Sequence, residues 1–192
     1  QHMWGLEATV MLPLACRGIL HPSVPLLPQD IARVVSEAPL PRWLALTPIH
    51  VRAWLESGVD VPPMTGLLCA AAPLDALDAA RMEAPSGATL VEIYGTTETG
   101  VAGTRRTSEE RAFRLVGGLA ASATVSGTVF RGGHLDAEEC VGDRLRPHGD
   151  DRFELVGRDA DLVKIGGKRA SLGEIVLMIK RIPGVRDAAC LI

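Results

Sequence analysis

The chain has 192 residues, 47% of them hydrophobic, 22% charged and 4% aromatic, with a formal net charge of -3. That composition supplies a core and excludes disordered, collagenous and coiled-coil chains. No apolar run reaches the roughly 18–20 uncharged residues of a membrane helix, because Pro, Arg or Asp interrupts each candidate. Cys16, Cys69, Cys140 and Cys190 show no paired spacing, so neither a zinc site nor a disulfide framework is indicated, and reduced thiols in a cytoplasmic protein are expected.

The chain opens at Gln1 without a signal-like start and stops at Ile192 inside an apolar run, which reads as a piece of a longer protein. Charge is uneven. Residues 152–192 hold eight basic and five acidic groups, including all three lysines (Lys164, Lys168, Lys180), whereas residues 1–151 are acidic on balance. A solvated basic face explains this as readily as a docking surface does.

In chain order, Pro28-Gln29-Asp30 opens a helix in which Ile31, Val34 and Val35 form the i, i+3, i+4 stripe, ending before Pro39. Leu44-Ala45-Leu46 is a short buried strand. Thr47-Pro48 then supplies an N-cap and a pre-set first residue for a helix over 49–55, closed by Gly58. Residues 66–72 form another buried strand, 74–82 a helix, and 88–94 a third strand running into a turn. This alternation predicts an α/β layer with parallel pairing. After residue 112 the texture changes to short strands at 113–116, 123–130, 140–145 and 153–156, a small and mostly antiparallel β unit. From Gly157 a hairpin (162–165, turn at Gly166-Gly167, then 168–170) leads into a helix opened by the capping box Ser171-Leu172-Gly173-Glu174. Leu172, Ile175, Val176, Ile179 and Ile182 share one face of that helix, Pro183-Gly184 stops it, and a strand begins at Val185. The fold class is thus α/β, followed by an antiparallel β unit and the opening of an α+β domain. The expected division is 1–156 (1–111 α/β layer, 112–156 β unit) and 157–192.

Three segments carry chemistry. In Ile93-Tyr94-Gly95-Thr96-Thr97-Glu98 a strand ends in an aromatic, a Gly permits a sharp turn, and hydroxyls and a carboxylate follow at the strand's carboxyl end, where open α/β sheets bind ligands. Tyr94 offers a flat face to a base, Thr96 and Thr97 offer donors to phosphate, and Glu98 offers a hard oxygen to Mg²⁺. A hydroxyl-rich turn capped by Glu98 accounts for the same residues. In Val141-Gly142-Asp143-Arg144 a lone carboxylate follows Gly at a strand start, suited to two ribose hydroxyls or to an ordinary turn. Residues 157–169 pack both charge signs around a glycine turn, more than a plain hairpin needs.

In this order the three segments resemble the adenylate-forming superfamily: acyl-CoA synthetases, aryl-acid ligases, peptide synthetase adenylation domains and luciferases. Tyr94 to Glu98 is similar to its Tyr-Gly-x-Thr-Glu motif, Gly142-Asp143 to its Gly-Asp ribose motif, and Gly157 to Glu174 to its Gly-Arg-x-x-x-x-Val-Lys-x-x-Gly-x-Arg-x-x-x-x-Glu stretch. His2-Met3-Trp4-Gly5-Leu6 resembles the family's His-containing helix start by the acyl pocket, and Ala70-Ala71-Ala72-Pro73-Leu74 its Gly-Gly-Ala-Pro-Leu loop; His2-Met3 also reads as a cloning scar.

The resemblance implies a role for each position. Tyr94 and the backbone of Ala71, Ala72 and Pro73 would enclose adenine, with Gly95 and Thr96 beside them. Thr97 would contact the α-phosphate and Glu98 would hold Mg²⁺. Asp143, assisted by Arg158, would bind ribose, while His2, Trp4 and Ala70 would border the acid. Gly166, Gly167 and Lys168 would face the thiol acceptor. The implied reaction joins a carboxylic acid to the AMP of ATP, then to coenzyme A or the phosphopantetheine of an acyl carrier protein. The rival expectation is a non-catalytic adenosine-nucleotide-binding module.

Departures accompany the likeness. The family's phosphate loop and its adenylation lysine lie outside this sequence, so the piece alone is expected to be inactive. Ala160 occupies a hinge position that is commonly acidic, Ala70-Ala71 replaces Gly-Gly, and the β unit between Thr104 and Val141 is short for the family. Nothing in the sequence points to nucleic acid.

Overall fold

The computed structural model describes residues 3–158 apart from 126, together with 162–165, 168–180, 182–185 and 188–190. The chain forms two compact units, residues 1–111 and 112–192.

The first unit begins with α1 (Met3–Leu6), a π-helical turn (Glu7–Met11) and α2 (Leu12–Ala15). After a stretch without regular structure come α3 (Pro28–Glu37), β1 (Trp43–Leu46), α4 (Pro48–Ser57), β2 (Gly66–Cys69), α5 (Ala76–Ser86), β3 (Thr89–Thr96) and β4 (Gly100–Arg106). Strands β1, β2 and β3 are adjacent and parallel, so the expected α/β layer is present, and β4 folds back antiparallel on β3.

Local chemistry sets the element ends. His50 Nδ1 accepts the Thr47 N–H at 3.2 Å, closing the first turn of α4, and Gly58 ends that helix at φ +70°. Asp75 caps α5 by accepting the Leu77 N–H at 2.8 Å. The core lies between these helices and strands and includes Ile31, Val35, Leu46, Val51, Trp54, Leu67, Met82 and Leu90. Trp43 stands directly opposite Gly66 in the β1–β2 register, and a Cβ on Gly66 would lie 2.2 Å from the Trp43 ring. The indole lies where a side chain at 66 would have been.

The second unit holds β5 (Phe113–Leu115), β6 (Leu119–Thr124), β7 (Gly127–Gly132), β8 (Glu139–Val141), β9 (Asp143–His148) and β10 (Arg152–Arg158). Strand β10 pairs antiparallel with β5 and β9, and β7 pairs antiparallel with β6 and β8. Its interior contains all three phenylalanines of the chain. Phe113 stacks on Phe153 at 5.4 Å between centroids, and Phe130 meets Phe153 edge-on at 6.4 Å. The hairpin β11 (Leu162–Ile165) and β12 (Lys168–Ser171) precedes α6 (Leu172–Lys180) as expected.

Several expectations are corrected. Residues 123–130 are two strands rather than one: Thr124 pairs with Gly127 across a two-residue connection. Residues 140–145 are likewise divided at Gly142 between β8 and β9, which pair with different strands. Strand β4 was not anticipated, because Gly100-Val101-Ala102-Gly103-Thr104-Arg105-Arg106 has little strand propensity and owes its place to pairing with β3. Val185 and residues 188–190 are not in a strand. Among the described residues no helix is long and apolar enough to cross a membrane.

One ion cluster ties α5 to the end of β4. Arg106 binds the Glu83 carboxylate in fork geometry, Nε to Oε1 at 3.0 Å and Nη2 to Oε2 at 3.1 Å. Leu90 N–H and Ser108 Oγ donate to the same carboxylate at 2.7 Å each. Burial alone would push the Glu83 carboxyl up, but the bonds from Arg106, Leu90 and Ser108 outweigh it and hold the group below its usual range. A carboxyl held low in the folded state contributes stability that is full above its unfolded value, about 4.3, and is lost as pH falls through the lowered folded value. Chemical denaturation from pH 6 to pH 3 should therefore show wild type losing more stability below about pH 4.3 than Glu83→Gln does. Parallel acid limbs would exclude Glu83 as a source of acid sensitivity.

Candidate functional site

Strands β2 and β3 lie side by side in parallel register, with Cys69 at the end of β2 opposite Glu92, and β3 runs four residues further to Thr96. Beyond Cys69 the chain makes a short exposed loop. Ala70 is buried and donates its N–H to Leu46 O at 3.4 Å; Ala71, Ala72 and Pro73 are exposed; Leu74 is buried again and donates its N–H to Glu92 Oε1 at 3.2 Å. Both ends of the loop are therefore pinned, and its middle presents backbone to solvent. Ala71 has φ +82°, a left-handed conformation suited to glycine. Alanine thus holds a backbone conformation that glycine adopts without strain, with a methyl group on it.

Strand β3 alternates in burial, with Leu90, Glu92 and Tyr94 facing inward. Tyr94 retains 8% exposure. At Tyr94/Gly95 the β3–β4 ladder shifts register, and a Cβ on Gly95 would sit 2.2 Å from Gly100 O. Close approach of the partner strand is what demands glycine there. Past it, Thr99 Oγ1 accepts the Thr96 N–H at 3.2 Å and donates to Gly100 O at 3.0 Å, and Thr96 Oγ1 accepts the Thr99 N–H at 3.3 Å. Thr96 and Thr99 build the turn from within, whereas Thr97 and Glu98 are exposed at its tip. The tip carries one hydroxyl and one carboxylate. Among the described residues no three His, Cys, Asp or Glu side chains gather to form a metal cage. One exposed carboxylate at the tip fits Mg²⁺ of the kind that keeps its waters and shares phosphate oxygens.

Glu92 was not singled out in the sequence. Its carboxylate is 4% exposed and has four donor groups: Leu74 N–H, Arg105 Nε at 2.8 Å, Arg105 Nη2 at 2.8 Å, and the Thr107 hydroxyl. Burial pushes the adjacent Cys69 thiol up to about 12, with the Glu92 charge adding to the shift. Nearer the N-terminus, Glu7 Oε1 accepts the Val101 N–H at 3.2 Å, tying the π-helical turn to β4 opposite Gly95. Trp4 is half-buried on α1; His2 lies outside the described residues. The signal for Glu92 was a charge in the inward register of a strand, which becomes readable once Arg105 is known to stand opposite it.

In the second unit Asp143 begins β9 and is 5% exposed. Its carbonyl accepts the Thr128 hydroxyl at 2.8 Å, and that hydroxyl also accepts the Leu145 N–H at 3.3 Å, joining β7 to β9. Arg158 is the register partner of Asp143 across β9–β10, so these two predicted residues are brought together. Lys168 pairs with Ile165 in the β11–β12 hairpin. Gly166, Gly167 and the hinge position Ala160 lie outside the described residues.

Ala71→Gly should raise Tm by about 2 °C in scanning calorimetry. Relief of roughly 1–2 kcal/mol of left-handed strain is partly offset by about 0.4–1 kcal/mol of added unfolded-state freedom, and about 1 kcal/mol moves Tm by roughly 2–4 °C at this size. A lower Tm would mean that the methyl group makes contacts worth more than the strain.

No family model matches the chain. It is 30% identical over 189 residues to a 4-coumarate–CoA ligase of Rhodobacter capsulatus, a match covering 98% of the chain and 46% of the ligase. Among solved structures it is similar to ATP-bound MatB from Rhodopseudomonas palustris, with TM-score 0.75 and 21% identity over 98% of the chain and 44% of MatB. It is also similar to the anthranilate CoA ligase AuaEII in complex with anthranoyl-AMP, with TM-score 0.76 and 18% identity over 98% of the chain and 43% of that enzyme. The chain thus spans less than half the length of these relatives.

Proposed function

We propose, on the premise that this chain has the fold of the adenylate-forming superfamily and resembles it along nearly its whole length, that the protein carrying it is an AMP-forming acid–thiol ligase. It activates an acyl or aryl carboxylic acid with ATP and passes the acyl group to coenzyme A or to a carrier-protein phosphopantetheine. Residues 1–156 belong to the later part of the large domain, and 157–192 begin the small one. What supports this reading is the exposure of Thr97 and Glu98 at the tip of the turn after β3, together with the exposed 71–73 loop that follows the neighbouring parallel strand β2.

The reaction needs negative charge offset while an acid carboxylate attacks the α-phosphorus and pyrophosphate leaves. Thr97 donates its hydroxyl to the α-phosphate. Glu98 holds Mg²⁺, which when bound offsets charge on the phosphate oxygens. Tyr94 and the 71–73 backbone bound the adenine, with Gly95 and Thr96 shaping the turn beside it. Asp143 accepts hydrogen bonds from the ribose hydroxyls, with Arg158 opposite it. Ala70, Trp4 and His2 border the acid, and the Gly166-Gly167-Lys168 turn faces the thiol.

Pyrophosphate release by the full gene product, screened against fatty, aryl and amino acids, is the direct test. At least one acid should support release, and Glu98→Ala should lower it about 10²–10³-fold, the usual cost of losing a group that stabilises transition-state charge. Asp143→Ala should weaken AMP binding in calorimetry by roughly tenfold or more, the loss of about one charge-assisted hydrogen bond. The 192-residue chain alone should release none. No release with any acid, together with unchanged AMP affinity in Asp143→Ala, would leave the ligase reading without support.

A further inference from the structure

A buried carboxylate in the inward row of a strand is costly unless fully paired. At position 92, between Leu90 and Tyr94, an apolar side chain would satisfy the core without that cost. The cost is met by two sets of donors with different consequences. On one side Arg105 and Thr107 come from β4 and the segment just after it. On the other, a single backbone N–H comes from Leu74, where the exposed loop re-enters the core. Only the second contact crosses from β3 to the loop after β2.

That crossing has leverage. The loop is short, its other end is tied through Ala70 N–H to Leu46 O, and its first exposed residue, Ala71, is in a conformation that alanine avoids. A strained loop persists only while its ends are held, and Glu92 Oε1 holds one of them. Glu92 also lies two residues before Tyr94 on the same face of β3. One side chain therefore relates the height of the 71–73 backbone to the position of the Tyr94 ring.

We propose that Glu92 is a positioning residue for nucleotide binding: by accepting the Leu74 N–H it fixes the spacing between the 71–73 backbone and Tyr94, and with it the slot that takes a purine. This rests on the ligase reading of the same site. The contact depends on the reach of the side chain, whereas the pairing with Arg105 depends on its charge, and two conservative substitutions separate these. Glu92→Gln keeps the reach and an acceptor oxygen but loses the charge. Glu92→Asp keeps the charge but is one methylene short of the loop.

The test measures AMP affinity by calorimetry and KM and kcat for ATP in the full gene product, with Tm recorded for each variant. Glu92→Gln should bind AMP within about threefold of wild type despite a lowered Tm, because a neutral amide oxygen still accepts an N–H. Glu92→Asp should bind AMP about tenfold or more weakly and raise the KM for ATP by a similar factor, the cost of about one lost hydrogen bond, with kcat and the KM for the acid within twofold. A purely structural role would give the reverse order, with Glu92→Gln the weaker binder because it breaks the buried ion pair. That order, or wild-type affinity in both variants, overturns the proposal. Absence of AMP binding by wild type would instead refute the nucleotide reading itself, and the positioning role with it.

Discussion

The first unit depends on how β4 handles two consecutive arginines. Neighbouring residues on a strand point to opposite faces, so Arg105 and Arg106 diverge and each finds a buried carboxylate. Arg105 meets Glu92 of β3, and Arg106 meets Glu83 of α5. Each carboxylate also takes a backbone N–H from a third place: Leu74 for Glu92 and Leu90 for Glu83. The strand is thereby fastened on one face to the loop after β2 and on the other to the helix that precedes β3. Removing Arg105 would cost about 3–5 kcal/mol, because the buried Glu92 charge would keep its desolvation penalty, whereas the Arg106–Glu83 pair is partly open to solvent and is screened. The hairpin that displays Thr97 and Glu98 thus stands on ion pairs rather than on strand propensity.

The same economy governs the tips. Hydroxyls that a reading of the bare motif would assign equally to a ligand divide into two kinds: Thr96 and Thr99 close the turn, and Thr97 remains at its surface. Gly95 is required by the closeness of Gly100 O and not by an unusual φ. A glycine, a tyrosine and three threonines within six residues therefore serve construction and display together, which is why the motif's composition alone left both explanations open.

Legibility followed from whether a signal was local. Helices α3, α4 and α5 and the three parallel strands of the first unit are readable because apolar period, Thr47-Pro48 and Gly58 all act within a few residues, whereas the helical turns over 3–15 carry no such stripe. Strand β4 is not readable in this way, since its residues are held by a partner strand and by Glu83 and Glu92, all distant in sequence or polar. The breaks after Thr124 and at Gly142 carry no local signal, because apolar alternation continues across them; Val125, almost fully exposed in the turn, is as apolar as any strand residue. The candidate residues themselves stood in ordered motifs and were found, whereas Glu92, Glu7 and Arg105 belong to no motif and became visible only as contacts.

The Trp43–Gly66 pair has an evolutionary corollary. The indole lies against Gly66 where a β-carbon would clash with it, so position 66 cannot gain a side chain while Trp43 keeps its place. Among homologues the two sites should covary: lineages that lose the large aromatic at 43 become free to acquire a side chain at 66, and those that keep it retain glycine. A drift in either column of an alignment would then report on its neighbour across the β1–β2 ladder, independent of anything that happens at the ligand loops.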